Sequence, residues 1–146
     1  MNYLYKTYYI QLLKTKKIIW VFIIFPIFSC QFWGDSENIM IKEYYNPKSN
    51  MKVVIFEKLG NATVNNSIQA SIHGPNFELN NAEVGNIFVA DKIEGIKKSK
   101  DSLLIVNWID NATVEFTYPK KVRIFKTEKQ FENNNRKVRI KYKSTD

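Results

Sequence analysis

The chain has 146 residues, with 22 basic and 14 acidic side chains, one histidine, one cysteine and a formal charge of +8. A single cysteine excludes an intramolecular disulfide, and one histidine beside it excludes a Cys/His zinc constellation, so packing alone must hold the fold and no cofactor is expected. A chain of this size forms one domain with a core of its own.

The first element in chain order is a leader. Lys14, Lys16 and Lys17 precede an unbroken apolar run, residues 18–28 (IIWVFIIFPIF), which ends at Ser29 and Cys30. As a helix the run would reach only about 16 Å, against a hydrocarbon core of about 30 Å. Pro26 further disfavours a continuous helix. The length suits the apolar region of a secretory signal peptide, and the lysines hold its N-terminal side in the cytoplasm. The residues Ile27-Phe28-Ser29-Cys30 resemble the lipobox of bacterial lipoproteins. That resemblance implies a cut before Cys30, diacylation of its sulfur and a lipid-anchored protein in the cell envelope, outside the cytoplasm. An ordinary cleaved leader with a chance cysteine, and an uncleaved anchor, are the alternatives. On the lipoprotein reading, 1–29 is signal peptide, 30–39 a lipid-anchored tether carrying Asp35 and Glu37, and 40–146 a single β-domain. Four of the basic residues and none of the acidic ones fall in 1–29, which leaves 18 against 14, or net +4.

The rest reads as strands and turns. Residues 40–45 predict a first short strand, and Asn46-Pro47-Lys48-Ser49-Asn50 a turn. Residues 52–58 (KVVIFEK), β-branched and aromatic between two turns, predict a second strand. After a polar loop, 60–67, residues 68–73 alternate, with Ile68, Ala70 and Ile72 set against Gln69, Ser71 and His73. Gly74-Pro75-Asn76 breaks the run, 80–85 is a loop, and 86–91 (NIFVAD) is a short buried strand. Residues 103–109 (LLIVNWI) are apolar on both faces and are expected at the centre of the sheet. They form a hairpin with 113–118, where Val114, Phe116 and Tyr118 share one face. Residues 122–126 and 137–143 read as the last hairpin, with Val138, Ile140 and Tyr142 inward. Glycine is scarce and no apolar stripe of helical period appears. The expected class is all-β: a small curled antiparallel sheet or sandwich of about seven short strands.

Several segments resemble an uncharacterised family of small bacterial membrane-anchored or lipoprotein domains of unknown function. They are Val54-Ile55-Phe56-Glu57-Lys58, Ala62-Thr63, Ser67, Gln69, Ser71-Ile72, Gly85-Asn86-Ile87-Phe88-Val89-Ala90-Asp91 and Val106-Asn107-Trp108-Ile109. The resemblance spans roughly 47–142. This chain departs from the family's pattern in having no cysteine at Gly60 or upstream of it in the domain. What the resemblance implies is envelope location and a β-fold, with no activity attached.

Two clusters are candidates for function. Thr63, Gln69, Ser71 and His73 form the first. On one strand face, Ser71 and His73 have Cα atoms about 7 Å apart, loose for a nucleophile and base, and no G-x-S-x-G elbow is present. The bland reading is a hydrogen-bonded polar face on a half-exposed sheet. The second cluster is the tail. From Pro119 onward there are 10 basic and 3 acidic residues, whereas Cys30 to Tyr118 holds 8 basic and 11 acidic. If the last hairpin forms as expected, Lys121, Arg123, Lys137, Arg139 and Lys141 share its outer face. Like charges facing each other destabilise a sheet. An anionic envelope component or an acidic protein surface would compensate them, or the lysines only guard an edge against aggregation. The functional expectation is an extracytoplasmic binding or structural module, monomeric, tethered to the membrane and not a nucleic-acid binder. The alternatives are an inhibitor or immunity-type lipoprotein acting on a secreted enzyme or toxin and, least favoured, an envelope hydrolase.

Overall fold

A computed structural model of the chain describes residues 36–60, 64–91, 103–133 and 136–145. The expected signal peptide, Cys30, most of the tether, Thr63 and the segment 92–102 lie outside the described residues. The architecture is all-β. Nine strands are described: β1 (Asn38–Tyr45), β2 (Lys52–Lys58), β3 (Ser67–His73), β4 (Phe88–Asp91), β5 (Ile105–Asp110), β6 (Thr113–Pro119), β7 (Ile124–Thr127), β8 (Gln130–Asn133) and β9 (Arg136–Thr145). They build a five-stranded sheet in the order β1-β2-β3-β4-β7 and a four-stranded sheet in the order β5-β6-β9-β8. β1 starts two residues inside the range assigned to the tether.

The alternation of the sequence sets which side chains the two sheets share. Val53 and Ile55 of β2 lie beside Ile72 and Ala70 of β3, and Ala70 beside Phe88 of β4. Opposite them stand Val106, Val114, Phe116, Val138 and Ile140 from the smaller sheet, all in one buried core. Phe88 is the five-stranded sheet's contribution to a four-ring cluster, with centroids 6.4 Å from Phe116, 5.6 Å from Tyr118 and 6.1 Å from Tyr142. The Tyr142 hydroxyl lies 2.9 Å from the carbonyl oxygen of Ile87 and 3.0 Å from that of Glu128, so it stitches β9 to the other sheet. Burial pushes its phenol well above the ordinary tyrosine range. Tyr142→Phe keeps the ring and deletes the hydroxyl; we expect a loss of about 1 kcal/mol in urea unfolding, and an unchanged midpoint would show the stitch to be idle.

At one end the sheets are joined by side-chain amides. Asn46 is buried; its Oδ1 accepts from the backbone N–H groups of Asn50 and Met51, and its Nδ2 donates to the carbonyl of Asn111. Trp108 Nε1 donates to the Tyr44 carbonyl at 2.9 Å, and Arg136 donates to the Asn50 carbonyl. Ser49 takes φ 52°, which closes the turn between β1 and β2.

Three expectations are corrected. β5 is an edge strand, not a central one. The strand begins only at Ile105, so Leu103 and Leu104 fill the core from the segment before it, while Ile105 and Ile109 face outward. The final hairpin is also different. β9 pairs antiparallel with β8 and parallel with β6, and β7 instead extends the five-stranded sheet beside β4. Consequently Lys121 and Arg123 do not share a face with Lys137, Arg139 and Lys141. Arg123 pairs with Asp91 at 2.7 Å and lies over the ring of Phe125.

Candidate functional site

The polar face of β3 carries Gln69, Ser71 and His73 as the alternation predicts, but it is not half-exposed. Gln69 and Ser71 are buried. The cover is the segment 74–86, held down by the stacking of Phe77 on His73 and by hydrogen bonds from its second half. Gly85 N–H donates to Gln69 Oε1 at 2.7 Å, and the side chain of Asn86 exchanges two bonds with the backbone of Ile72. A Cβ on Gly85 would collide with the Phe88 carbonyl and crowd Gln69, so this approach needs glycine. The far side of the cover is tied to the start of β1 by Asn38 and to the end of β2 by Lys58.

Glu83 reaches in from the same segment and decides what Ser71 and His73 can do. Ser71 Oγ donates to Glu83 Oε1 at 2.6 Å and accepts from Asn86 N–H at 3.1 Å. His73 Nε2 lies 2.9 Å from the same carboxylate oxygen, and its ring stacks on Phe77 at 3.6 Å between centroids. A nucleophile must hand its proton to the base, with the carboxylate behind the imidazole. Here the carboxylate stands between serine and imidazole, and the hydroxyl is buried with its proton committed. The geometry is that of a staple holding a loop on a sheet, and it gives Ser71 no path to act as a nucleophile.

The outer face of the four-stranded sheet is different in character. Lys137, Arg139, Lys141 and Lys143 alternate along β9 and are exposed, while Val138 and Ile140 between them are buried. Arg139 sits between Thr113 on β6 and Gln130 on β8. Around it lies an open groove of about 470 Å³ lined by Asp110, Ala112, Thr113, Lys129, Gln130, Lys137 and Arg139. Its floor is fixed by the backbone: Arg139 N–H donates to the Ala112 carbonyl, and Ile140 N–H to the Lys129 carbonyl. Asp110 folds back on the β5–β6 turn, where the Ala112 N–H donates to its Oδ1 at 2.7 Å. That bond, then Thr113 and the charge of Arg139, hold its carboxyl below the ordinary range.

The charges on this face are only loosely balanced. Glu132 is the register partner of Lys137, and Glu115 that of Lys141. Among the described residues, ion pairs within 4.0 Å join Lys52 to Glu43, His73 to Glu83 and Arg123 to Asp91, but none involves Lys129, Lys137, Arg139, Lys141 or Lys143. The structure thus brings Lys137, Arg139 and Lys141 together as expected and separates them from Lys121 and Arg123. It adds Lys129, Gln130, Thr113 and Asp110, which sequence reasoning missed. Lys129 had a signal in the basic excess of the tail; Thr113 and Asp110 had none, because only the parallel pairing of β6 with β9 sets them beside Arg139. No metal-holding cluster of His, Cys, Asp or Glu occurs among the described residues.

No family model, curated protein or solved structure matches this chain.

Proposed function

We propose that this protein is a lipid-anchored, extracytoplasmic binding module of a bacterial envelope, and that the outer face of its four-stranded sheet holds an anionic envelope component. The lysine-led apolar run ending at Cys30 supports the location. The observation that carries the binding reading is the run of exposed β9 cations without ion-pair partners among the described residues, set around the groove at Arg139. These cations neighbour Asp110, Glu115 and Glu132 but make no ion pair with them within 4.0 Å, and an exposed cation loses less on meeting an anion than one that must give up a buried pair.

The test is charge reversal. Lys137→Glu, Arg139→Glu and Lys141→Glu together turn three positive charges into three negative ones; two of these positions face Glu132 and Glu115 across the sheet, which costs some stability, so the urea midpoint of the variant is measured beside its binding. Retention of the anchored protein on isolated envelope fragments is expected to fall at least tenfold at low salt and to be salt-sensitive in the parent chain. Unchanged, salt-insensitive retention would end this reading. Lipid labelling of the parent chain against Cys30→Ala checks the anchor separately.

A specific observation favours a second reading, an inhibitor or immunity-type partner of a secreted protein. Of the exposed large apolar residues described, Ile39, Met40 and Tyr45 lie on β1, and Ile105 and Ile109 on β5. These are edge strands of the two sheets, and β1 contacts β5. Exposed apolar side chains concentrated on two adjoining edges suit a protein surface better than a charged polymer. Ile105→Lys with Ile109→Lys would abolish capture of such a partner and leave envelope retention intact.

A further inference from the structure

The anionic component can be narrowed from where the cations sit and how they are spaced. The chain enters the sandwich at the start of β1. Asn38 there is the register partner of Lys58, which pairs with Ser67, which pairs with Asp91. The groove belongs to the other end. Asp110 and Ala112 flank Asn111, which accepts from Asn46 and Lys48 in the turn beyond β1, and Arg136 of β9 bonds Asn50 in the same turn. Along β1 the two ends are about 23 Å apart. The groove therefore lies at the end of the strands opposite the start of β1, and the β9 row runs from it toward that start.

The spacing is equally specific. Lys137, Arg139, Lys141 and Lys143 occupy every second position of one strand, so their Cα atoms lie in a line with a pitch of about 7 Å and a length of about 20 Å. A lipid surface is a two-dimensional field of headgroups and asks for a broad patch of charge; a straight single row fits one thread. An extended phosphodiester chain linked through three-carbon polyols carries one negative charge per link at about this same pitch, with hydroxyls between the charges. Thr113 and Gln130, on either side of Arg139, supply neutral donors and acceptors for those hydroxyls at the groove end of the row.

We infer that the β9 row and its terminal groove bind a linear polyol-phosphate polymer, laid along the strand with one phosphate per cation, from the groove back toward the end at which the chain enters. This rests on the binding reading proposed above and deepens it. Lys137, Arg139, Lys141 and Lys143 take successive phosphates, and Lys129 reinforces the groove end. Glu115 and Glu132, facing Lys141 and Lys137 across the sheet, oppose binding and keep it reversible.

The experiment uses the anchored protein held in nanodiscs of neutral lipid and a ladder of synthetic glycerol-phosphate oligomers from one to eight units. Inorganic phosphate and phosphatidylglycerol vesicles are run beside it. Affinity should climb with each unit up to four and then level off. With four contacts the logarithm of affinity should fall against that of salt with a slope of roughly −3, or about 50-fold between 50 and 200 mM. Arg139→Gln should flatten that slope by about one. Glu115→Gln should bind the tetramer several-fold more tightly, an outcome that loss of folding cannot mimic. Binding that does not grow with oligomer length, or a tetramer no better than inorganic phosphate, overturns the assignment. Vesicle binding without oligomer binding, abolished by the triple reversal, overturns it too but leaves the anionic-component reading standing. If envelope retention itself ignores the triple reversal, both fall.

Discussion

Replacing Phe88 by alanine should cost about 3–5 kcal/mol, the range for removing a buried aromatic from a core. Phe88 is only 1% exposed. Among the described residues it is the one ring of the five-stranded sheet in a cluster otherwise made of Phe116 and Tyr118 on β6 and Tyr142 on β9. The hole would open between the sheets, where both walls are hydrogen-bonded ladders that cannot close on it, so the cavity term should be near its full size. Domains of this size have about 5–15 kcal/mol to lose, and without a disulfide in the described fold that loss has no covalent cushion. With a urea slope of about 1.5–2 kcal/mol/M the midpoint should drop by about 2 M. Phe125→Ala is the control, since that ring is 57% exposed and meets Arg123 in solvent; it should cost under 1 kcal/mol. If the two variants unfold at the same urea concentration, the four rings are not what joins the sheets.

The contrast between those two phenylalanines shows what the sequence makes legible. Where a strand alternates, its inner residues could be read directly: Val114 and Phe116 on β6, Val138 and Ile140 on β9, and Ile68, Ala70 and Ile72 on β3 are all buried. Alternation is a local property with a period of two, and a core on one side is enough to enforce it. Pairing is not local. The chain places Val122–Lys126 and Lys137–Lys143 one after the other, and sequential strands do pair more often than not. Here β7 crosses to the other sheet and β8, only four residues long, takes its place beside β9. The apolar run beginning at Leu103 misled for a related reason. Its first two residues precede the strand and seal the core, and the strand proper then shows an edge pattern.

The candidate sites divide in the same way. Gln69, Ser71 and His73 fall on one face by simple alternation, and the register of β3 keeps them there. Their burial was not legible, because the cover is an irregular segment whose decisive residue, Glu83, lies ten positions from His73 in a stretch without period. The β9 cations were legible as a row. That the row ends in a groove depends on the parallel register of β6, which sets Thr113 opposite Arg139. Charge content is thus a property of the sequence, and the neighbours that give a charge its use belong to the topology.

The second large effect is expected at Lys52, a lysine buried in the five-stranded sheet with its side chain 5% exposed. Its Nζ lies 2.7 Å from Glu43 Oε1 and over the ring of Tyr45, whose hydroxyl donates to the other oxygen of Glu43. Burial alone would push the ammonium down. The bond and charge of Glu43, with Tyr45, outweigh it and raise Lys52 above its ordinary value, while the bond from Lys52 lowers the Glu43 carboxyl against the opposing pull of burial. Glu43→Gln keeps the shape and removes the charge, leaving a buried ammonium with a neutral neighbour. Because the Glu43 side chain is 25% exposed and water screens part of the pair, the loss at neutral pH should be about 1–3 kcal/mol, below the 3–5 of a fully enclosed pair. The pH dependence fixes the cause. A carboxyl lowered from 4.5 contributes stability that is present above that value and disappears as pH falls through the folded pKa. An ammonium raised from 10.5 contributes stability that is present below that value and disappears as pH rises through the folded pKa. The difference between parent and variant should therefore be flat across the neutral range and shrink at both limits. Urea midpoints of the two proteins should converge once the pH has fallen below the folded pKa of Glu43, itself under 4.5. A gap that persists undiminished in acid would mean that Glu43 acts through packing alone, and that the ammonium of Lys52 is held by something other than its charge.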